Sequence, residues 1–188
     1  MPFHPTHLNL PLTGAVLDGL RAGDSVELSG AVISFRDATA ARLMRALEAG
    51  EPLPVSLKNE ILYAVGPSPP KPGQIIGSAG PTTTARMARF LPTLFAAGVR
   101  AVIGKGELHG DEMTPFLTHG AVYFAAIGGL GALLAKQISS ATVVGYDDLG
   151  PEALYALEIT AFPAVVIIDR QGRNFHETAR ARWRGSHD

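Results

Sequence analysis

The sequence contains no cysteine. A disulfide framework, a thiol nucleophile, and iron–sulfur or zinc–thiolate sites built from this chain alone are therefore excluded. The absence of cysteine also fits a reducing compartment. No stretch approaches the roughly 18 uninterrupted apolar residues of a membrane-spanning helix, and the N-terminal segment has no basic region followed by a long apolar run. We therefore expect a cytoplasmic protein that does not enter a membrane.

Neither sign of charge is in excess, because 16 lysines and arginines stand against 17 acidic residues, for a formal net charge of -1. Such a chain has no general attraction for nucleic acid, and any important cation must act locally. With 188 residues, the chain is long enough to bury a core. We predict one domain over residues 1–175 and a flexible tail over 176–188, where the polar, basic sequence has no clear period.

Apolar periodicity predicts an alternation of strands and helices. The two strands predicted first are expected to open the fold as an antiparallel, barrel-like part. The predicted strands are 7–12, 25–35, 60–67, 99–106, 121–127, 141–149 and 162–169. The predicted helices are 36–50, one from about 83, 111–120, 128–138 and 151–159. This alternation predicts an α/β fold, with a mixed sheet, a barrel-like antiparallel part and flanking helices.

The segment GSAGPTTTARM, residues 77–87, combines glycines, a proline, three threonines and an arginine. Glycine allows tight turns and close approach of a ligand, and Thr82 or Thr83 can cap a helix whose first amides face an anion. Arg86 follows four residues after Thr82, and its guanidinium fork matches a carboxylate. Two interpretations stay open: a cradle for a carboxylate or phosphate, and a capped helix with a solvated arginine.

Two further cations follow predicted strands. Arg36 comes directly after AVISF, and Lys105 lies between glycines in VIGKGEL. Ligands of sheet proteins often gather where strands end, so Arg36, Lys105 and Arg86 together could form a positive pocket for a small polyanion. Each of them alone could equally be a solvated surface charge.

Four segments within residues 8–172 match one protein family, namely VGPSPPKPGQIIG, GSAGPTTTARM, FLPTLFAAGVRAVIGKG and HGAVYFAAIGG. On these segments the chain closely resembles the beta subunit of class I fumarate hydratase and of L(+)-tartrate dehydratase, which forms the C-terminal domain of single-chain class I fumarases. This resemblance implies a swivelling β/β/α-type domain in a hydro-lyase that interconverts fumarate and L-malate, or alternatively dehydrates L(+)-tartrate.

The resemblance also implies a partner and its cofactor. A separate alpha subunit would carry a [4Fe-4S] cluster, so this chain would bind no metal. The active complex would be a dimer of alpha–beta units, and this chain alone would be inactive.

Individual residues receive roles from the same resemblance. The substrate carboxylates would be bound by Arg36, Arg86 and Lys105. Thr82 would approach the carbon that loses its proton, and a hydroxyl is too weak a base alone, so a partner carboxylate would assist or Thr82 would act by positioning. By position, Thr83 is expected to cap the following helix, and Gly80 belongs to the loop.

Two sites depart from the family pattern. The family commonly has RDAAH where this chain has RDATA, so Ala40 stands in place of a histidine. If that histidine helps to orient substrate or the domain contact, the substrate preference of this protein differs. Thr84 and Ala85 differ mildly from the usual serine, alanine or glycine.

Other interpretations fit the residues less well. A dinucleotide-binding loop at Gly129 and Gly131 would need a small residue where Leu134 stands. Asp147 and Asp148, adjacent in a predicted strand, would point to opposite faces and not share a proton. Four histidines lack acidic or cysteine ligands at the usual metal-binding spacing, namely His4, His7, His109 and His119. A non-catalytic anion-binding or scaffolding module remains an alternative of another class.

Overall fold

The structure, a computed structural model, describes residues 4–185. Its strands are β1 (Thr6–Asn9), β2 (Ser25–Phe35), β3 (Ile61–Ala64), β4 (Ala101–Gly104), β5 (Val122–Ala125), β6 (Ile138–Gly145) and β7 (Leu154–Ile168). Its α-helices are α1 (Gly14–Gly19), α2 (Asp37–Ala49), α3 (Leu91–Ala96), α4 (Thr114–His119), α5 (Gly131–Ala135) and α6 (Phe175–Gly185). Shorter 3₁₀ helices cover Thr84–Phe90, Gly110–Glu112 and Asp147–Glu152. Within this described part, no helix is both long and apolar enough to cross a membrane.

Five of the strands close into a barrel. Three parallel pairs join four of these strands, namely β2–β3, β3–β4 and β4–β5. β7 pairs antiparallel with both β5 and β2, which closes the sheet. β1 and β6 extend the sheet beyond this barrel. The predicted α/β class, with a mixed sheet, a barrel-like part and flanking helices, is confirmed.

The side chains of the barrel strands alternate between two buried clusters, as the period of a strand requires. One cluster fills the barrel and includes Leu28, Tyr63, Ile103, Phe124 and Phe162. The other lies between the outer face of the barrel and the helices, and it includes Phe35, Leu62, Val102, Tyr123 and Leu43 of α2. The barrel is therefore packed on both faces, and its strand ends are the places left for a ligand.

The opening strands pair differently from the prediction. β1 lies parallel to β2, with Thr6 opposite Val26, so the predicted antiparallel opening is wrong. Parallel neighbours need a crossover connection. Here α1 supplies it, and Thr13 caps this helix by accepting a hydrogen bond from the Val16 amide (3.3 Å). The antiparallel pairs of the barrel all involve β7 instead.

The predicted helix at 151–159 is also wrong. Its first residues end a 3₁₀ helix at Glu152, and the rest begins the long strand β7. Leu154 and Leu157 are spaced as on a helix, but this segment pairs with β2 on one side and β6 on the other. Two sets of sheet hydrogen bonds outweigh a local helical preference.

Two further segments differ at the end of the fold. Asp147 and Asp148 lie in a 3₁₀ helix after β6, not in a strand, and Asp148 accepts hydrogen bonds from Arg42. Residues 175–185 form α6, which the polar sequence did not predict, and Arg180 of this helix pairs with Glu107 (2.7 Å). The division into a domain and a flexible tail stays a prediction, and residues 186–188 lie outside the described part.

Candidate functional site

The parallel order of β2, β3, β4 and β5 brings their carboxyl ends to one edge of the barrel. Arg36 follows β2 and Lys105 follows β4. The segment that contains Thr82 lies between the ends of β3 and β4. Residues that are distant in the sequence are therefore neighbours at this edge, which we call the cationic edge and define by Arg36, Thr82, Arg86 and Lys105.

Backbone hydrogen bonds fix Thr82 between two strand ends. Its amide donates to the carbonyl of Ala64 in β3 (2.7 Å), and its carbonyl accepts from the amide of Lys105 (3.2 Å). The amide of Thr84 then donates to the carbonyl of Lys105 (2.9 Å). The threonine segment thus continues the sheet at the cationic edge and places Thr82 directly beside Lys105.

The helix after this segment starts at the expected residue, but without a side-chain cap. Thr83 occupies the cap position of the 3₁₀ helix Thr84–Phe90, but its side chain makes no capping hydrogen bond. The amide of Arg86 donates to the carbonyl of Thr83 (3.3 Å), so Arg86 lies one 3₁₀ turn beyond Thr83. Gly80 packs against the start of α5, where a Cβ added to Gly131 would lie 2.8 Å from the Gly80 nitrogen.

Arg36 is held by Glu152 and Gly66, two residues that the sequence did not predict as part of the site. Its Nε lies 3.6 Å from Oε1 of Glu152, is buried, and has no hydrogen-bond partner. The second carboxylate oxygen of Glu152 accepts from the amide of Ala38 at the start of α2 (2.8 Å). On the other side, Gly66 lies so close that a Cβ there would be 2.5 Å from Cδ of Arg36. Only glycine leaves room for Arg36 in this position.

Arg86 is more exposed and is paired with an acid. Its Nη2 donates to Oδ2 of Asp37 (2.7 Å), the residue that follows Arg36, and 53% of its side chain is accessible to solvent. One carboxylate occupies one nitrogen of a guanidinium that has five N–H donors. Arg86 is thereby oriented toward the start of α2 and keeps donors for a ligand.

Lys105 is the third cation of the edge. No acidic side chain among residues 4–185 forms an ion pair with it. Its aliphatic part passes Gly128, where a Cβ would lie 3.4 Å from Cδ and 3.9 Å from Nζ of the lysine. The ammonium group is therefore the cation of this edge whose charge is not already paired with an acid of the described chain, whereas Arg36 lies beside Glu152 and Arg86 beside Asp37.

The side chains that could bind a metal ion do not gather into a site in the described part of the chain. The chain has no cysteine, and within residues 4–185 no group of three or more histidine, aspartate or glutamate side chains could hold a metal ion. His7 and His109 lie near single glutamates instead, at 2.9 Å from Glu27 and 3.3 Å from Glu107 respectively. The donor set of the described chain does not fit an iron–sulfur cluster.

Comparison with known proteins assigns the chain to a family. The family model described as the fumarase C-terminus matches residues 4–179, so the chain belongs to this family. It is similar to the "Putative L(+)-tartrate dehydratase subunit beta" of Methanocaldococcus jannaschii, with 34% identity over 172 residues and 88% of each chain covered.

Fumarate hydratases form the other group of relatives. The aerobic class I fumarate hydratase of Escherichia coli K12 is 34% identical over 154 residues, and the mitochondrial fumarate hydratase 1 of Leishmania major is 36% identical over 155 residues. Both alignments cover 81% of this chain but only 28% of the relative. The chain thus corresponds to a small part of these enzymes and to most of the tartrate dehydratase subunit.

Proposed function

We propose that this chain is the beta half of a hydro-lyase that hydrates fumarate reversibly to L-malate. The observation that carries the proposal is the cationic edge of a fumarase C-terminal domain, where Arg36, Thr82 and Lys105 lie at neighbouring strand ends and Arg86 lies in the adjoining 3₁₀ helix. A dicarboxylate needs cationic donors for two carboxylate groups, and guanidinium groups match them in shape.

The cations would serve the reaction as well as binding. When L-malate loses a proton from the carbon next to a carboxylate, negative charge develops on the oxygens of that carboxylate. Arg36, Arg86 and Lys105 are placed to stabilise such charge, and their positions are fixed before the reaction by Glu152, Asp37 and the backbone around Lys105. Preorganised charges of this kind need little rearrangement during the reaction.

Thr82 would act at the reacting carbon mainly by position. Its backbone is held at both its amide and its carbonyl, so its side chain leaves the sheet at a defined place beside Lys105. A neutral hydroxyl is too weak to remove a carbon-bound proton unaided. The proposal therefore includes an acidic group from a partner chain.

The partner would also carry the cofactor. Since the described chain cannot ligate a cluster, a [4Fe-4S] cluster would be held by a separate alpha subunit, where it would supply Lewis acidity toward the substrate hydroxyl. A dimer of alpha–beta units and a cytoplasmic location are further parts of this proposal. They are supported by the resemblance to the family and by the absence of cysteine.

An apolar patch lies next to the cationic edge and fits this partner. It consists of Ile127, Leu130 and Leu133, which are exposed on the segment that leads from β5 into α5. Gly128, within the patch segment, lies next to the side chain of Lys105, since a Cβ at this glycine would be 3.4 Å from Cδ of the lysine. A subunit that completes the site around Lys105 would cover this patch, and exposed apolar patches of this kind mark protein interfaces.

The test is reconstitution under anaerobic conditions. The chain is assayed alone and with a cluster-loaded alpha subunit for hydration of fumarate and dehydration of L-malate and L-tartrate. Activity only in the mixture supports the shared site, and the faster substrate identifies the enzyme. No activity in the mixture, with the cluster verified intact, contradicts the proposal and favours a non-catalytic anion-binding module.

L(+)-tartrate dehydration is the second candidate. It is favoured by one observation, since the Methanocaldococcus jannaschii subunit matches the chain over 88% of both lengths. Tartrate carries two carboxylates, as malate does, and would use the same cations. The relative rates in the reconstitution assay decide between the two substrates.

A further inference from the structure

Two buried hydroxyl groups lie under the segment that carries Lys105. Tyr123 belongs to β5 and Thr84 begins the 3₁₀ helix, and both residues have 0% exposed surface. Oγ1 of Thr84 donates to Oη of Tyr123 (3.1 Å), and Oη of Tyr123 donates to the carbonyl of Gly106 (2.9 Å). The pair thus connects the helix start and β5 to the residue after Lys105.

These bonds complete the support of Lys105 on both of its flanks. On one side, its amide donates to Thr82 and its carbonyl accepts from Thr84. On the other side, Gly106 has a left-handed φ of 85° and receives the hydrogen bond from Tyr123. Glycine adopts this left-handed conformation readily, but it also has more conformational freedom than any other residue. The turn at Gly106 therefore needs an anchor to hold one conformation. The tyrosine hydroxyl is that anchor.

Packing alone does not account for these hydroxyls. The ring of Tyr123 packs near Phe116, with ring centroids 6.0 Å apart, and phenylalanine would keep this contact. A buried hydroxyl lowers stability unless it is hydrogen-bonded. Burial raises the pKa of Tyr123, so the phenol stays protonated and remains a donor to Gly106 across the physiological range.

We propose that Tyr123 and Thr84 are positioning residues that hold Lys105 toward a substrate carboxylate. The proposal rests on the proposed function, because it assigns a purpose to the same lysine. Thr84 stands where the family commonly has serine, alanine or glycine, and its hydroxyl makes a contact that serine could keep but alanine or glycine could not. Thr84 is therefore a functional part of the site and not only a helix residue.

The test compares Tyr123→Phe, Thr84→Val and Thr84→Ser with the wild-type chain. Ser29→Ala is the matched control, because it removes a hydroxyl that accepts a 2.9 Å hydrogen bond from the Ala161 amide, in the amino-terminal half of β2. The first readout is amide hydrogen exchange of the full chain. We expect Tyr123→Phe to speed exchange at the amide of Lys105 about tenfold, because the local opening becomes easier.

The second readout is steady-state kinetics of the reconstituted complex with fumarate. Tyr123→Phe should raise KM about tenfold with kcat within about threefold, Thr84→Val should raise KM about threefold, and Thr84→Ser should restore the wild-type value, as expected for losing or keeping a buried hydrogen bond. Thr84→Val should add little in the Tyr123→Phe background, since the two hydroxyls act as one unit.

The outcomes separate the two proposals. Ser29→Ala should leave both the amide exchange at Lys105 and KM at wild-type values. If Tyr123→Phe and Thr84→Val behave in the same way and only lower the melting temperature, the two hydroxyls are purely structural and the inference is wrong. If the wild-type complex is inactive, the proposed function fails. In that case the exchange data still decide whether the hydroxyl pair holds Lys105, and unchanged exchange overturns the inference.

Discussion

The replacement of Gly66 by alanine tests whether the position of Arg36 matters for the reaction. A Cβ at Gly66 would lie 2.5 Å from Cδ and 2.7 Å from Nη1 of Arg36. Carbon atoms in contact are about 3.5–4.0 Å apart, so Arg36 must move by about 1 Å or leave its place. A displacement of about 1 Å in a substrate-binding group can lower the rate about 100-fold. We therefore expect kcat/KM to fall by one to two orders of magnitude.

The fold should tolerate this change. Gly66 has no left-handed φ, and apart from Arg36 the nearest atom to its Cβ would be the carbonyl oxygen of Pro151, at 3.3 Å, which a shift of a few tenths of an ångström relieves. The gain from a less flexible unfolded chain is about 0.4–1 kcal/mol. We expect the free energy of unfolding, measured with urea, to change by about 1 kcal/mol or less. Gly14→Ala is the control, because nothing lies within 4 Å of a Cβ at that position. A Gly66→Ala complex with wild-type kcat/KM would refute the role assigned to Arg36.

Three further predictions address other parts of the molecule. Arg86→Ala should lower kcat/KM about 10–100-fold, as for loss of a hydrogen bond to a charged group, while the melting temperature hardly changes because its ion pair is exposed; near-normal turnover with an intact partner would contradict this. Leu133→Glu should weaken binding of the alpha subunit at least about tenfold in calorimetry, whereas Leu117→Glu, equally exposed on α4, should not; equal effects would rule out the patch. Burial acts to raise the pKa of Asp169, but hydrogen bonds from a backbone amide and from Arg173 hold it below its usual value. Its charge therefore stabilises the fold at neutral pH, and this contribution should be lost on acidification below about pH 4 in the wild type but not in Asp169→Asn; parallel stability curves for the two proteins would disprove it.

The sequence predicted the elements whose signals are local. The helix after Arg36 ends at Gly50 in a left-handed conformation, as its position indicated, and β2 occupies the predicted residues. β7 could not be predicted in full, because its first half is decided by pairing on both sides, with β6 and with β2, and β2 is far away in the chain. The parallel pairing of β1 with β2 depends on the short crossover helix α1, which was not among the predicted helices.

The same difference between local and long-range signals applies to the residues of the candidate site. The residues Arg36, Thr82 and Lys105 follow strand or loop signals, and the topology places them at one edge as strand-end residues. Glu152 was not predicted as a site residue, because it fell in the helix wrongly predicted at 151–159 and because its contact with Ala38 spans 114 residues of the chain. Gly66 looked like an ordinary glycine before a proline-rich segment, and its importance is visible only from the side chain that packs on it.

The charges at the cationic edge explain why a partner is needed in this proposal. Arg36 lies beside Glu152 and Arg86 beside Asp37, so these two carboxylates already hold cations and are poorly placed to serve as a free base. Lys105 pairs with no acid among residues 4–185. Three cations against two carboxylates leave one positive charge for a substrate that carries two negative charges. A partner that adds positive charge would neutralise the second negative charge of the substrate, and it would also supply the missing acid–base group. In the proposed complex, this chain therefore contributes cations that bind the substrate, and the cluster-bearing subunit contributes the remaining charge and the proton transfer.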